Sequence, residues 1–289
     1  MKFGIYYAYW ATEWGGEFIP YVEKVKGLGF DILEVACGNF DQNDLSQCRE
    51  LRRAAEDNGI LLTGGYGPRP EHNLASTDEA AVEKAFGFYG DVFRKMEAAG
   101  IQSLCGALYS YWPVDTSGDL DKPGDLDRSA RRMQRLANMA ADYGITLHME
   151  ALNRFEGYLI NDCQEAVAYV RAVDRPNVKV MLDTFHMNIE EDSLVEAIAL
   201  AGPLLGHFHV GEANRRPPRP QGRIPWKDLA EALRKIGYQG HIVMEPFVRM
   251  GGQVGKDISI WRDLSHGATD AQLDQDAAAS VAYLRSLFA

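Results

Sequence analysis

Short apolar runs alternate with longer amphipathic stretches along nearly all of this 289-residue chain, and that alternation is the strongest constraint on its fold. The runs are F-G-I-Y-Y (3 to 7), I-L-E-V-A (32 to 36), L-L-T-G-G-Y (61 to 66) and S-L-C-G-A-L (103 to 108). Four more follow: T-L-H-M-E (146 to 150), V-K-V-M-L-D (178 to 183), G-H-F-H-V (206 to 210) and H-I-V-M-E (241 to 245). Helix patterns fill the intervals at 17 to 28, 44 to 58, 79 to 99, 127 to 143, 162 to 173, 190 to 201, 226 to 236 and 270 to 287. After 127, for example, Ala130, Met133, Ala137 and Ala140 recur at spacings of three and four, which lines one helical face with apolar side chains. L-G-F, N-G-I, A-G-I, Y-G-I and I-G-Y each place a glycine where a left-handed C-cap leads into the next strand. Eight β-α units in one unbroken series predict a single α/β domain over 1 to 289, a closed parallel (β/α)8 barrel. A doubly wound open sheet is the alternative arrangement.

Composition narrows the function. With 46% hydrophobic and 25% charged residues the chain can bury a sizeable core. The formal charge of −11 argues against a grip on nucleic acid, which needs clustered Lys and Arg to neutralise phosphates. The N-terminal M-K-F-G-I-Y-Y-A-Y-W meets Glu13 too soon for a signal peptide or membrane span, so a cytoplasmic protein is expected. Cys37, Cys48, Cys105 and Cys163 show no C-x-x-C spacing and are read as reduced, buried thiols.

In a parallel barrel the active site lies at the C-terminal strand ends. There the chain delivers Glu150 from the fifth run, Asp183 from the sixth, His209 from the seventh and Glu245 from the eighth. An ion pair or a helix cap accounts for any one of them; four on successive strands are harder to explain so. Three carboxylates crowded in a half-buried mouth repel one another unless a cation sits among them. Oxygen and imidazole ligands without thiolate suit Mn²⁺, Mg²⁺ or Co²⁺, with zinc also possible.

A second polar group follows on the same rim: Arg154 and Glu156, then His186, then Glu212, Arg215 and Arg216. Tyr6, Trp14, Trp112 and Phe247 gather near strand ends and suit the walls of a small-ligand pocket. Asp183 and His186 invite a shared metal, but His186 lies beyond the strand, in the loop, and is expected to face the ligand.

Several segments together resemble the ketose 3-epimerases, most nearly the D-allulose (D-psicose) and D-tagatose 3-epimerases. They are G-I-Y-Y-A-Y-W (4 to 10), G-F-D-I-L-E-V (29 to 35), G-A-L-Y-S-Y-W-P (106 to 113), E-A-L-N-R-F-E (150 to 156), K-V-M-L-D-T-F-H-M-N-I-E-E-D (179 to 192), G-H-F-H-V-G-E-A-N-R (206 to 215) and V-M-E-P-F-V (243 to 248). The resemblance implies a xylose-isomerase-like TIM barrel and a divalent metal, usually Mn²⁺ or Co²⁺, held by Glu150, Asp183, His209 and Glu245. It implies that Glu156, His186 and Arg215 bind oxygens at the reacting end of a ketose while Tyr6, Trp14, Trp112 and Phe247 line the pocket. It also implies a homodimer or homotetramer, with 247 to 268 as a contact region or a mobile rim loop. The loop 215 to 223 departs from the family pattern by one extra residue.

On that basis Glu150 and Glu245 are the expected acid/base pair, one on each side of carbon 3, working through a cis-enediolate stabilised by the metal. Three rivals remain: an aldose–ketose isomerase on the same barrel, a metal-dependent endonuclease, which the acidic charge disfavours, and a non-catalytic sugar-binding protein.

Overall fold

The computed structural model describes residues 1–288. Among them eight parallel strands close into a barrel in sequence order: β1 (Lys2–Tyr6), β2 (Ile32–Ala36), β3 (Leu61–Gly65), β4 (Ser103–Gly106), β5 (Thr146–Glu150), β6 (Val178–Asp183), β7 (Leu205–Val210) and β8 (His241–Met244). β1 pairs with β8 to close the ring, which excludes the open sheet. The helices are α1 (Ile19–Gly27), α2 (Leu45–Asn58), α3 (Glu79–Ala99), α4 (Lys122–Ala141) and α5 (Cys163–Val173), then α6 (Thr184–Glu190), α7 (Leu194–Ala201), α8 (Trp226–Lys235), α9 (Gly252–Asp257) and α10 (Asp270–Leu287).

The outer helices hold to the barrel by their apolar stripes. On α3, Val82, Ala85, Phe86, Tyr89, Val92, Phe93 and Met96 are buried at spacings of three and four. Each large side chain so buried stabilises by about 1.5–3 kcal/mol relative to exposure. The five glycines read as helix stops, Gly29, Gly59, Gly100, Gly144 and Gly237, all have positive φ. Gly59 and Gly100 are left-handed C-caps of α2 and α3, a conformation in which a Cβ would crowd the backbone. The four cysteines are free and buried. No helix among the described residues is long and apolar enough to cross a membrane.

The three largest departures from the sequence expectation are these. α4 begins at Lys122, five residues early, because Asp121 accepts from the Gly124 N–H and Pro123 suits a first turn. The helix expected over 190 to 201 begins only at Leu194, capped by Ser193, and a separate short helix, α6, precedes it. Glu191, between them, turns its carboxylate to the N–H of Cys163 at 2.7 Å. His186 therefore stands in the first turn of a helix, not in a loop. Finally, 247 to 268 contains α9, which packs on the β1–α1 loop: the Val254 N–H donates to the Thr12 carbonyl at 3.0 Å, and Trp14 Nε1 donates to Asp257 at 2.8 Å.

Candidate active site

Parallel strands in register bring their last residues to one level. Asp183 lies opposite His209 across β6–β7, and His209 lies opposite Val243, two residues before Glu245. One ligand atom each from Glu150, Asp183, His209 and Glu245 then falls within 4.8 Å of all the others. Burial and the neighbouring Glu245 push the Glu150 carboxyl well above the usual carboxylate range. Asp183 is held low despite its burial, chiefly by the Arg215 guanidinium. It also caps α6, accepting from the Phe185 N–H at 2.9 Å.

The donor set fits a divalent metal, and one atom tests the fit. His209 Nδ1 is buried, has no hydrogen-bond partner, and lies 3.5 Å from Glu245 Oε1. A buried imidazole nitrogen left unpaired costs energy, whereas a cation among carboxylates is the partner it lacks.

Above this cluster the polar groups are fixed by chemistry visible in their partners. The backbone N–H of Asn153 reaches His186 Nδ1 at 3.1 Å, and its side-chain amide reaches the same nitrogen at 2.8 Å. A backbone N–H can only donate, so Nδ1 accepts and the proton sits on Nε2. That Nε2 faces inward, 3.6 Å from Glu150 and 3.9 Å from Asp183. Burial lowers the His186 proton affinity below the ordinary value, so the ring is neutral and offers one N–H. Asn153, which the sequence reading left unassigned, sets this tautomer.

Arg215 enters from the β7–α8 loop. Its Nη1 lies 3.1 Å from Asp183 and 2.8 Å from Glu245, and its Nη2 lies 3.4 Å from Glu156. The guanidinium stacks 3.7 Å above the Phe185 ring. Its backbone has φ of +61°, a conformation costing a side-chain-bearing residue about 1–3 kcal/mol, and the loop holds it there. Glu212 is the anchor: buried, its carboxylate accepts from the N–H groups of Arg219 and Arg223 and from Trp226 Nε1. Gly222 lies so close to that carboxylate that a Cβ would sit 1.7 Å from it. Glu212 is thus a loop anchor, not a group facing ligand. Arg154 points away to Glu190, and Arg216 lies 3.3 Å from His266 on the exposed side.

These groups line a cavity of about 400 Å³. Tyr6, Trp14, Trp112 and Phe247 form its aromatic wall, with ring centroids 6.1 to 6.4 Å apart along the series from Trp112 through Trp14 to Tyr6 and Phe247. Glu156, His186 and Arg215 line the same space. Glu156 stays ionised despite burial because the Arg215 guanidinium stands beside it and two N–H groups donate to it, the Asn153 amide at 3.1 Å and Trp112 Nε1 at 3.3 Å. α9 adds Gln253 and Asp257 to the wall, so part of the 247 to 268 segment lines the pocket.

The sequence reading missed Glu34. Midway along β2, fully buried, it contacts His209 and His207. The signal was present: a carboxylate inside I-L-E-V-A, a strand whose every residue is buried, needs a partner as much as Asp183 does.

An aromatic-walled cavity over three carboxylates and an imidazole at a barrel mouth is the site of a TIM-barrel enzyme whose acidic cluster could hold a metal ion. The chain belongs to the xylose isomerase-like TIM barrel family, whose model matches residues 22–286, and within it to the D-psicose 3-epimerases. It is 50% identical over 285 residues to the D-psicose 3-epimerase of Agrobacterium fabrum, covering 99% of this chain and 98% of that one. The D-psicose 3-epimerase of Clostridium cellulolyticum H10, crystallised with D-tagatose, superposes with a TM-score of 0.98 at 50% identity, covering 100% of this chain and 99% of that one. A D-psicose 3-epimerase crystallised in the presence of D-fructose gives a TM-score of 0.97 at 50% identity, with the same coverage.

Proposed function

We propose that this protein epimerises free ketohexoses at carbon 3, interconverting D-fructose with D-allulose and D-tagatose with D-sorbose. The observation that carries the reading is the meeting of Glu150 and Glu245 at one cavity beside fixed donors, in a chain half identical along its length to D-psicose 3-epimerases.

Glu150, Asp183, His209 and Glu245 would hold the metal, Mn²⁺ first, with Co²⁺ or Mg²⁺ as alternatives. When bound, such an ion supplies Lewis acidity toward the oxygens next to the reacting carbon. The chain's own groups do the rest. His186 would donate its Nε2–H, and Arg215 its Nη groups, to the oxygen on carbon 2, where negative charge collects as carbon 3 loses its proton. Glu156 would accept from the substrate's first hydroxyls. Glu150 and Glu245 would carry the proton, one taking it from one face of carbon 3 and the other returning one to the opposite face. The aromatic wall would exclude water from the exposed carbanionic centre.

Product analysis tests this against the aldose–ketose isomerase. From D-fructose the expected product is D-allulose; D-glucose or D-mannose would reverse the assignment. No turnover, with no exchange of the carbon-3 proton in heavy water, would indicate a binding protein.

The roles of His186 and His209 separate in a second measurement. His186→Ala is expected to lower kcat/KM by the equivalent of about 1–3 kcal/mol, the cost of leaving a buried ligand oxygen unpaired. Its Mn²⁺ affinity should match the wild type; a matching loss of metal would assign His186 to the metal instead. We further propose a cytoplasmic setting, in which the four buried thiols stay reduced, and a homodimer or homotetramer, to which exposed Phe155 and Trp261 point.

A further inference from the structure

The interior of a (β/α)8 barrel is ordinarily packed with layers of branched apolar side chains. Here it is crossed by a polar layer directly beneath the metal-ligand cluster. Glu34 on β2, Thr63 on β3, Cys105 on β4 and His207 and His209 on β7 converge there, all buried. Glu34 is fully enclosed, and an ionised carboxylate in that position costs several kcal/mol unless it is paired and hydrogen-bonded. A barrel that needed only to be filled would place Val or Ile at this site.

The partners of Glu34 are divided between its two oxygens. Oε2 is anchored: the Thr63 hydroxyl, brought opposite by the β2–β3 register, donates to it at 2.8 Å, and the Cys105 thiol lies 3.6 Å away. His207 Nε2 is 3.0 Å from that same oxygen. Oε1 has one close partner, His209 Nε2, at 2.6 Å. A carboxylate can only accept, so His209 carries its proton on Nε2. In the neutral ring that a metal ligand must be, Nδ1 then carries the free lone pair, and it is Nδ1 that lies 3.5 Å from Glu245 Oε1 in the carboxylate cluster.

We propose that Glu34 is the positioning residue of the metal centre: it fixes the tautomer and ring angle of His209 so that Nδ1 is presented to the cation. This inference rests on the metal assignment made above and extends it to a residue that touches neither ion nor sugar. The amide of Glu34→Gln keeps the size of the side chain but cannot accept at both ends. Its NH₂ must face either His209 or the Thr63–His207 side. In the first case Nε2 of His209 becomes the acceptor and the proton moves to Nδ1; in the second the anchor is lost and the ring is released. Both weaken the metal site without removing a ligand.

Four of these five groups, Glu34, Cys105, His207 and His209, lie close enough to suggest a second cation site. The 2.6 Å Glu34–His209 contact argues for a hydrogen bond instead, because it leaves no room for an ion between the two atoms.

The test is Mn²⁺ titration of the metal-stripped full-length protein, with free Mn²⁺ read by electron paramagnetic resonance and folding checked by circular dichroism. Wild type is expected to bind one ion per chain. Glu34→Gln should bind it about 10–100-fold more weakly, the usual cost of losing an outer partner of a metal-binding histidine. Glu34→Asp retains the charge but retracts it by one methylene, so its loss should be smaller and still measurable. If Glu34→Gln does not fold, Glu34→Asp decides. A folded variant of either kind that binds Mn²⁺ as tightly as wild type overturns the inference, as do two ions per wild-type chain. Wild type that binds no Mn²⁺ overturns the metal assignment together with it.

Discussion

Glu245→Gln, assayed at saturating Mn²⁺, is expected to epimerise D-fructose about 10²–10⁴-fold more slowly than wild type, the range typical of losing a positioned acid or base. The amide keeps the shape and one oxygen of the side chain but cannot take or return a proton. Inversion at carbon 3 requires a proton to leave one face and another to arrive on the opposite face. One carboxylate cannot serve both unless the sugar turns over inside a cavity of about 400 Å³ walled by Tyr6, Trp14, Trp112 and Phe247. The variant therefore has a signature beyond slow turnover. In heavy water the remaining Glu150 should still exchange the carbon-3 proton of one epimer, while the other epimer stays unlabelled. Glu150→Gln should show the mirror-image preference. Turnover near the wild-type rate, or exchange from both epimers at equal rates in the variant, would remove Glu245 from the pair.

Stripping the metal is expected to abolish turnover, with recovery on adding Mn²⁺ or Co²⁺. The reason lies in the charges at the barrel mouth. Two unit charges 4 Å apart near a protein surface repel by about 4 kcal/mol, and three carboxylates share this site. Arg215 offsets part of that repulsion, in direct contact with Asp183 and Glu245, but at Glu150 it is outweighed by burial and Glu245, which push that carboxyl toward the protonated form. A protonated Glu150 cannot act as a base. Restoring the ion should also raise thermal stability, by about 2.7 kcal/mol at a free Mn²⁺ concentration one hundred times its Kd. Undiminished turnover after exhaustive chelation would refute the metal dependence.

Which residues meet at the rim could be read from the chain because the fold imposes it. Once eight apolar runs alternate with helices, right-handed crossovers put every strand's C-terminal end on one face. Glu150, Asp183, His209 and Glu245 are each at, or one residue from, the end of such a run, so local periodicity was enough to assemble them. The pocket aromatics and Glu156, His186 and Arg215 followed from the same rim argument together with the family resemblance, and all of them line the cavity.

Other features depended on contacts far apart in sequence. Arg154, Glu212 and Arg216 looked equivalent to Arg215 as polar rim residues, yet only Arg215 points inward, because Glu212 grips the loop from beneath through Arg219, Arg223 and Trp226. The helix carrying His186 begins where Asp183, at the strand's last position, also serves as its cap. α9 became part of the cavity wall by bonding to Thr12 and Trp14, some 240 residues earlier in the chain. Glu34 and His209 are separated by 175 positions, and their contact follows from how the closed barrel staggers its strands. The sequence by itself determined which strand each of the four clustered carboxylate and imidazole side chains ends, since that depends on hydrophobic periodicity within a few residues. Only the tertiary structure decided which nitrogen of His209 faces the carboxylate cluster and which arginine enters the site, because those depend on partners delivered by other strands and loops.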